Sequence, residues 1–138
     1  MFGLFGGKNR GKPLVLVVDD EEDIRGIITV VLRSMNLDVL GAANGPEGLR
    51  LALKEQPDLV LLDIRMPGMD GFDVCRSIKV DREGNKIPIL MVTAMDQHKD
   101  VEKALANGAD GYIVKPIDNS KFKRKIAEFL KLPPGGPA

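Results

Sequence analysis

Five short apolar runs, each followed by a segment with helical spacing, leave this chain few ways to fold. The runs occupy residues 14–18, 39–42, 59–62, 87–92 and 112–114. The first, third and fourth are continuously apolar rather than alternating. That is the pattern of strands covered on both faces, as in a parallel sheet. Between the runs, apolar residues recur at three- and four-residue steps and so share one face of a helix. The first such stripe is Ile24, Ile27, Ile28, Val31, Leu32 and Met35. Later stripes are Leu49, Ala52 and Leu53; Phe72, Cys75 and Ile78; Val101, Ala104 and Leu105; and Phe122, Ile126, Phe129 and Leu130. Local punctuation agrees. Pro46 suits a first helical turn after Asn44, Asp118 or Ser120 can cap the last helix, and Gly108 suits a helix end that needs positive φ. Strict strand–helix alternation predicts an α/β domain with a parallel sheet and right-handed crossovers.

The strand ends carry the chemistry. Val17-Val18 runs into Asp19-Asp20, Leu61-Leu62 into Asp63, Met91-Val92 into Thr93, and Ile113-Val114 into Lys115-Pro116. In open parallel sheets the ligand crevice lies outside the carboxyl ends of the strands, so these residues are expected at one rim. Three converging carboxylates repel one another, and a divalent cation is the natural remedy. A set of acids without His or Cys suits a hard ion such as Mg²⁺, with Mn²⁺ as the alternative, and not zinc. Lys115 and Thr93 would supply a point charge and a hydroxyl for phosphoryl oxygens. Asp63 is then a carboxylate nucleophile for in-line transfer.

Bulk properties restrict the partners. The 138 residues amount to about one domain, with 20 Lys and Arg against 20 Asp and Glu. Net neutrality and the lack of a helix-turn-helix pattern argue against direct binding of nucleic acid, and no apolar run is long enough to span a bilayer. One cysteine, Cys75, excludes an internal disulfide, suits a cytoplasmic setting and reads as a buried hydrophobe. His98, the single histidine, cannot build a triad or metal cluster and reads as a solvated loop or helix-start residue. Residues 1–12 and 132–138 read as flexible tails around a domain at 13–131, with Phe2, Leu4 and Phe5 a conceivable docking element.

The stretches Val17-Val-Asp-Asp-Glu21, Leu59-Val-Leu-Leu-Asp63-Ile-Arg-Met-Pro67-Gly-Met-Asp-Gly71, Met91-Val-Thr93-Ala94, Gly108-Ala-Asp-Gly-Tyr112 and Lys115-Pro116 resemble the receiver domain of two-component response regulators. The resemblance covers about residues 13–130. It implies the flavodoxin-like (βα)5 three-layer sandwich, with strand order 2-1-3-4-5 and helices on both faces. It also implies roles. Asp63 would accept the phosphoryl group from a histidine kinase or histidine phosphotransfer protein. Asp19, Asp20, Asp63 and the Arg65 backbone carbonyl would hold Mg²⁺. Thr93 and Lys115 would bind the phosphoryl group, and Thr93 with Tyr112 would form the switch. The Lys115–Pro116 bond would be cis, and Pro67 and Gly71 would shape the adjacent loop. Arg65 and Met95 occupy the variable positions that tune phosphoryl lifetime.

Such a domain is a signalling phosphoacceptor and not an enzyme acting on other substrates. It would present the face of the fourth helix, fifth strand and fifth helix, including Lys99, Lys103, Tyr112, Lys121 and Lys125, to an unidentified downstream protein. Its assembly state would be a monomer or a phosphorylation-dependent dimer. Two other readings compete. A degenerate receiver acting as a constitutive binding module is disfavoured by the full set Asp19, Asp20, Asp63, Thr93 and Lys115. An aspartyl-nucleophile phosphatase of the haloacid-dehalogenase type needs a second Asp where Arg65 stands.

Overall fold

A computed structural model describes residues 11–94 and 98–133 of the chain. Five strands alternate with five helices: β1 (Leu14–Val18), α1 (Glu22–Ser34), β2 (Asp38–Ala42), α2 (Gly45–Glu55), β3 (Leu59–Asp63), α3 (Gly71–Val80), β4 (Ile89–Thr93), α4 (His98–Ala106), β5 (Gly111–Val114) and α5 (Asn119–Leu130). The strands form one sheet in the order β2-β1-β3-β4-β5, and every pairing is parallel. This is the flavodoxin-like arrangement expected above.

Alternate residues of the buried strands feed two cores. Leu16, Val18, Val60, Leu62, Ile89 and Met91 pack against α2, α3 and α4 through Ala52, Val74, Cys75, Ile78 and Ala104. Val15, Val17, Leu59, Leu61, Leu90 and Val92 pack against α1 and α5 through Ile28, Leu32, Phe122 and Ile126. Burial of each such Val, Leu or Ile side chain stabilises by about 1.5–3 kcal/mol. The central strand β3, buried along its whole length and flanked by the equally buried β1 and β4, is a firm support for a side chain at the rim.

The stripes hold with two corrections. Ile27 and Leu105, expected to be buried, are 54% and 51% exposed. Each lies at the margin of its helix's apolar face, where a helical step carries the side chain past the sheet. Helix ends follow local chemistry. The Asn44 side chain accepts from Glu47 N–H with Pro46 in the first turn, and Asp118, not Ser120, caps α5 by accepting from Lys121 N–H. Gly108 has φ +98° at the end of α4. Cys75 is buried as expected, and desolvation raises its thiol pKa to about 11, which keeps it inert at neutral pH.

The loop from β3 to α3 is pinned at both ends. Asp70 and Asp73 form a reciprocal capping box at the start of α3. Gly71 N–H donates to Ile64 C=O at 2.9 Å, which folds the loop back beside Asp63. A Cβ at Gly71 would stand 2.8 Å from Ile64 Cα and closer still to the Asp63 carbonyl oxygen. Both are backbone atoms that cannot yield. Gly71→Ala should therefore destabilise the domain by roughly 2–3 kcal/mol in urea denaturation. A change below about 0.5 kcal/mol, the ordinary scatter of surface substitutions, would show that the loop is less constrained than its contacts indicate.

Candidate functional site

Asp63 is the last residue of β3, in register with Val92 of β4, and only 5% exposed. Asp19 follows β1 directly and is equally enclosed; its N–H donates to Ala42 C=O and its carbonyl accepts from Arg25 Nη1 at 2.8 Å. Lys115 follows β5, and its N–H donates to Thr93 C=O at 2.7 Å, which ties the ends of β4 and β5 together. The Lys115 ammonium lies 3.5 Å from Asp63 Oδ1 and 3.5 Å from Asp19 Oδ2. One cation thus stands between two buried carboxylates. Thr93 is buried at the neighbouring strand end. The Lys115–Pro116 bond is cis.

The acidic rim differs in one respect from the expected trio of Asp19, Asp20 and Asp63. Among the described residues, the three carboxylates whose oxygens approach within 4.8 Å of one another belong to Asp19, Asp20 and Glu21. Asp63 meets Asp19 across the Lys115 ammonium instead. Glu21 was legible only as part of the Asp-Asp-Glu run. Its N–H donates to Asp19 Oδ1 at 2.9 Å, so the turn that ends β1 folds its own acids together. An all-oxygen donor set with several negative charges and one ammonium fits a hard divalent cation and offers nothing to a soft one.

The other expected residues are dispersed. Arg65 directs its guanidinium to Asp100 of α4, with Nη2 3.0 Å from Oδ2. Nothing in the sequence signalled that pair, whose members lie 35 positions apart. Tyr112 is 38% exposed and, with Pro116, Lys121, Phe122 and Lys125, lines a groove of about 390 Å³ along β5 and α5. Met95, like Phe2, Leu4 and Phe5, lies outside the described residues.

Burial is the main influence on Asp63. Desolvation, reinforced by the charges of Asp19 and Asp20 and opposed by Lys115, raises its pKa from 3.8 to about 6. Burial and the neighbouring acids thus outweigh the single ammonium beside Asp63.

Parallel strands and an acidic rim at their carboxyl ends define a flavodoxin-like domain whose site suits a hard cation. The model of the response regulator receiver domain matches residues 15–127, and the chain belongs to that family of two-component signalling domains. It is 35% identical over 119 residues to the DNA-binding dual master transcriptional regulator RpaA of Synechocystis, covering 86% of this chain and 49% of RpaA. It is 41% identical over 117 residues to the response regulator PleD of Caulobacter vibrioides, covering 85% of this chain and 26% of PleD. The chain therefore spans half or less of these relatives. Among solved structures, chemotaxis protein CheY4 of Vibrio cholerae superposes with a TM-score of 0.82 at 29% identity, covering 86% of this chain and 99% of that one. The receiver domain of the sensor histidine kinase PA1611 of Pseudomonas aeruginosa, solved with a magnesium ion in its active-site cleft, gives 0.82 at 28% identity, with 88% and 99% covered. Among the described residues no helix is long and apolar enough to cross a membrane.

The raised pKa has a stability consequence. Between pH 3.8 and about 6 the folded state binds more protons at Asp63 than the unfolded state, so this group's contribution to stability falls as pH rises through that window. Asp63→Asn removes the penalty. In metal-free buffer it should stabilise the domain at neutral pH by roughly 1–2 kcal/mol, allowing for solvent at the rim, and by little below the window. Denaturation at both pH values checks this, and equal gains at both would contradict it.

Proposed function

We propose that Asp63 accepts a phosphoryl group from a histidine kinase or a histidine phosphotransfer protein, and that the modified pocket changes the surface offered to a downstream protein. The observation that carries this reading is the position of Asp63. It is a buried carboxylate at the end of the central strand, with an ammonium against one oxygen and an acidic cluster on the neighbouring strand end.

Lys115 holds Asp63 Oδ1, which leaves Oδ2 to attack phosphorus. The P–N bond of the donor phosphohistidine breaks as the new P–O bond forms, and the leaving imidazole nitrogen takes the electron pair. Lys115 then balances charge on the transferred oxygens, and the Thr93 hydroxyl donates to one of them. Asp19, Asp20, Asp63 and the Arg65 backbone carbonyl are the residues to hold Mg²⁺, with Glu21 beside them and Mn²⁺ a substitute. Bound there, the ion would neutralise the charge that builds up during transfer. Partial burial of the pocket limits water and so favours a stored acyl phosphate over turnover. A haloacid-dehalogenase-type hydrolysis has no second acid at position 65 to support it.

The added charge acts on a pre-existing equilibrium. Thr93 C=O and Lys115 N–H join the ends of β4 and β5, so a shift of Thr93 reaches Tyr112 and the groove it lines. The α4-β5-α5 face, with Lys99, Lys121 and Lys125, is the proposed output surface, in a monomer or a phosphorylation-dependent dimer within the cytoplasm; Lys103, expected on that face, instead turns its ammonium to the Phe72 ring of α3. Incubation with a small phosphodonor and Mg²⁺ should give one acid-labile adduct per chain and move amide resonances on that face. Chelation of Mg²⁺ or Asp63→Asn should abolish both. An adduct that persists in Asp63→Asn, or shifts confined to α1 and α2, would count against the proposal.

A further inference from the structure

Arg65 lies two residues past Asp63, yet its guanidinium is engaged on a different element. Nη2 is 3.0 Å from Asp100 Oδ2, in the first turn of α4. The groove that holds this pair, about 510 Å³, is lined by Ile64, Met66, Pro67, Phe72 and Lys103 among others, and by none of Asp19, Asp63 and Lys115. Its other cation is also engaged, with the Lys103 ammonium 4.6 Å from the centre of the Phe72 ring. The Asp100 side chain is 15% exposed and that of Arg65 72% exposed. The acidic partner is therefore anchored in the fold, and the long cationic side chain goes where that anchor holds it.

We propose that Asp100 is a positioning residue for the acidic pocket: it holds the Arg65 guanidinium on the first turn of α4 and keeps a second organic cation from competing with a divalent ion for the carboxylates. The inference rests on the reading of Asp19, Asp20 and Asp63 as a Mg²⁺ site. Lys115 already contacts Asp19 and Asp63. A guanidinium released beside them would bring positive charge into a pocket that has to admit Mg²⁺. The coupling runs both ways. A partner that captures Asp100 releases Arg65 toward the pocket, and extra negative charge at Asp63 draws Arg65 from α4. The loop after the acceptor and the first turn of α4 are thereby linked by one ion pair.

The test is a double-mutant cycle read by Mg²⁺ affinity, which needs no phosphodonor. Mg²⁺ is titrated into wild type, Asp100→Asn, Arg65→Ala and the double variant, and dissociation constants are taken from amide resonances of the pocket. Loss of the Asp100 charge weakens Mg²⁺ binding slightly in any background, so the decisive quantity is the difference between backgrounds. Asp100→Asn should weaken binding about two- to fivefold when Arg65 is present, the range of an exposed ion pair, and under about 1.5-fold in the Arg65→Ala background. Asp100→Glu, which keeps the charge, should restore most of the affinity. Equal weakening in both backgrounds would overturn the inference and leave the Mg²⁺ site standing, as would no weakening in either. Failure of wild type to bind Mg²⁺ would overturn the site itself and the inference with it.

Discussion

The functional end of this domain depends on a single arrangement: two buried carboxylates, Asp63 and Asp19, share the Lys115 ammonium at 3.5 Å from each. A buried charge is costly unless it is paired. Here one positive charge serves two negative ones, with Asp20 and Glu21 beside them. The compensation is incomplete, and the raised pKa of Asp63 expresses first its burial and then the excess of neighbouring negative charge. A pocket in which acids outnumber the single ammonium is receptive to a divalent cation, and such an ion would favour the ionised carboxylate.

The rest of the structure keeps that arrangement in place. Residues of β1, β3 and β4 are buried on both faces, so the strand ends cannot drift apart to relieve the repulsion between their acids. Gly71 lets the loop after β3 pass close to the Asp63 backbone, and the capping box of Asp70 and Asp73 fixes where α3 begins. Thr93 and Lys115 are bound to each other through their backbones. The packing stability gained in the two cores offsets the electrostatic cost at the rim. Local strain concentrated at a site and compensated elsewhere is common in functional regions of proteins.

Much of this was legible in the sequence because burial on two faces leaves a plain trace. The runs that became β1 and β3 were found almost to the residue; Asp63 itself belongs to β3, since a strand's last residue can pair through its backbone while its side chain faces the rim. The run at 87–92 overreached at its start. Pro88 has no N–H to pair, although its carbonyl accepts from Val60 N–H, and the strand begins at Ile89. Ile27 and Leu105 were misplaced because helical spacing specifies a face without specifying how wide its neighbours are. The strand order came with the family resemblance, while the convergence of Asp19, Asp63, Thr93 and Lys115 followed from the parallel polarity of the strands, whose carboxyl ends share one rim. The pairing of Arg65 with Asp100 did not, because it depends on where the first turn of α4 settles relative to a loop, and no local pattern encodes that distance.

Burial and neighbouring acids hold the Asp63 carboxyl well above its ordinary pKa, in a pocket whose charge suits a divalent cation. The most direct measurement is a carbon-13 NMR titration of the Asp63 carboxyl in metal-free protein, repeated with Mg²⁺. A midpoint at about 6 is expected without metal, moving downward when Mg²⁺ is added. A midpoint at the ordinary 3.8 that Mg²⁺ does not move would contradict both the burial of the charge and the metal site.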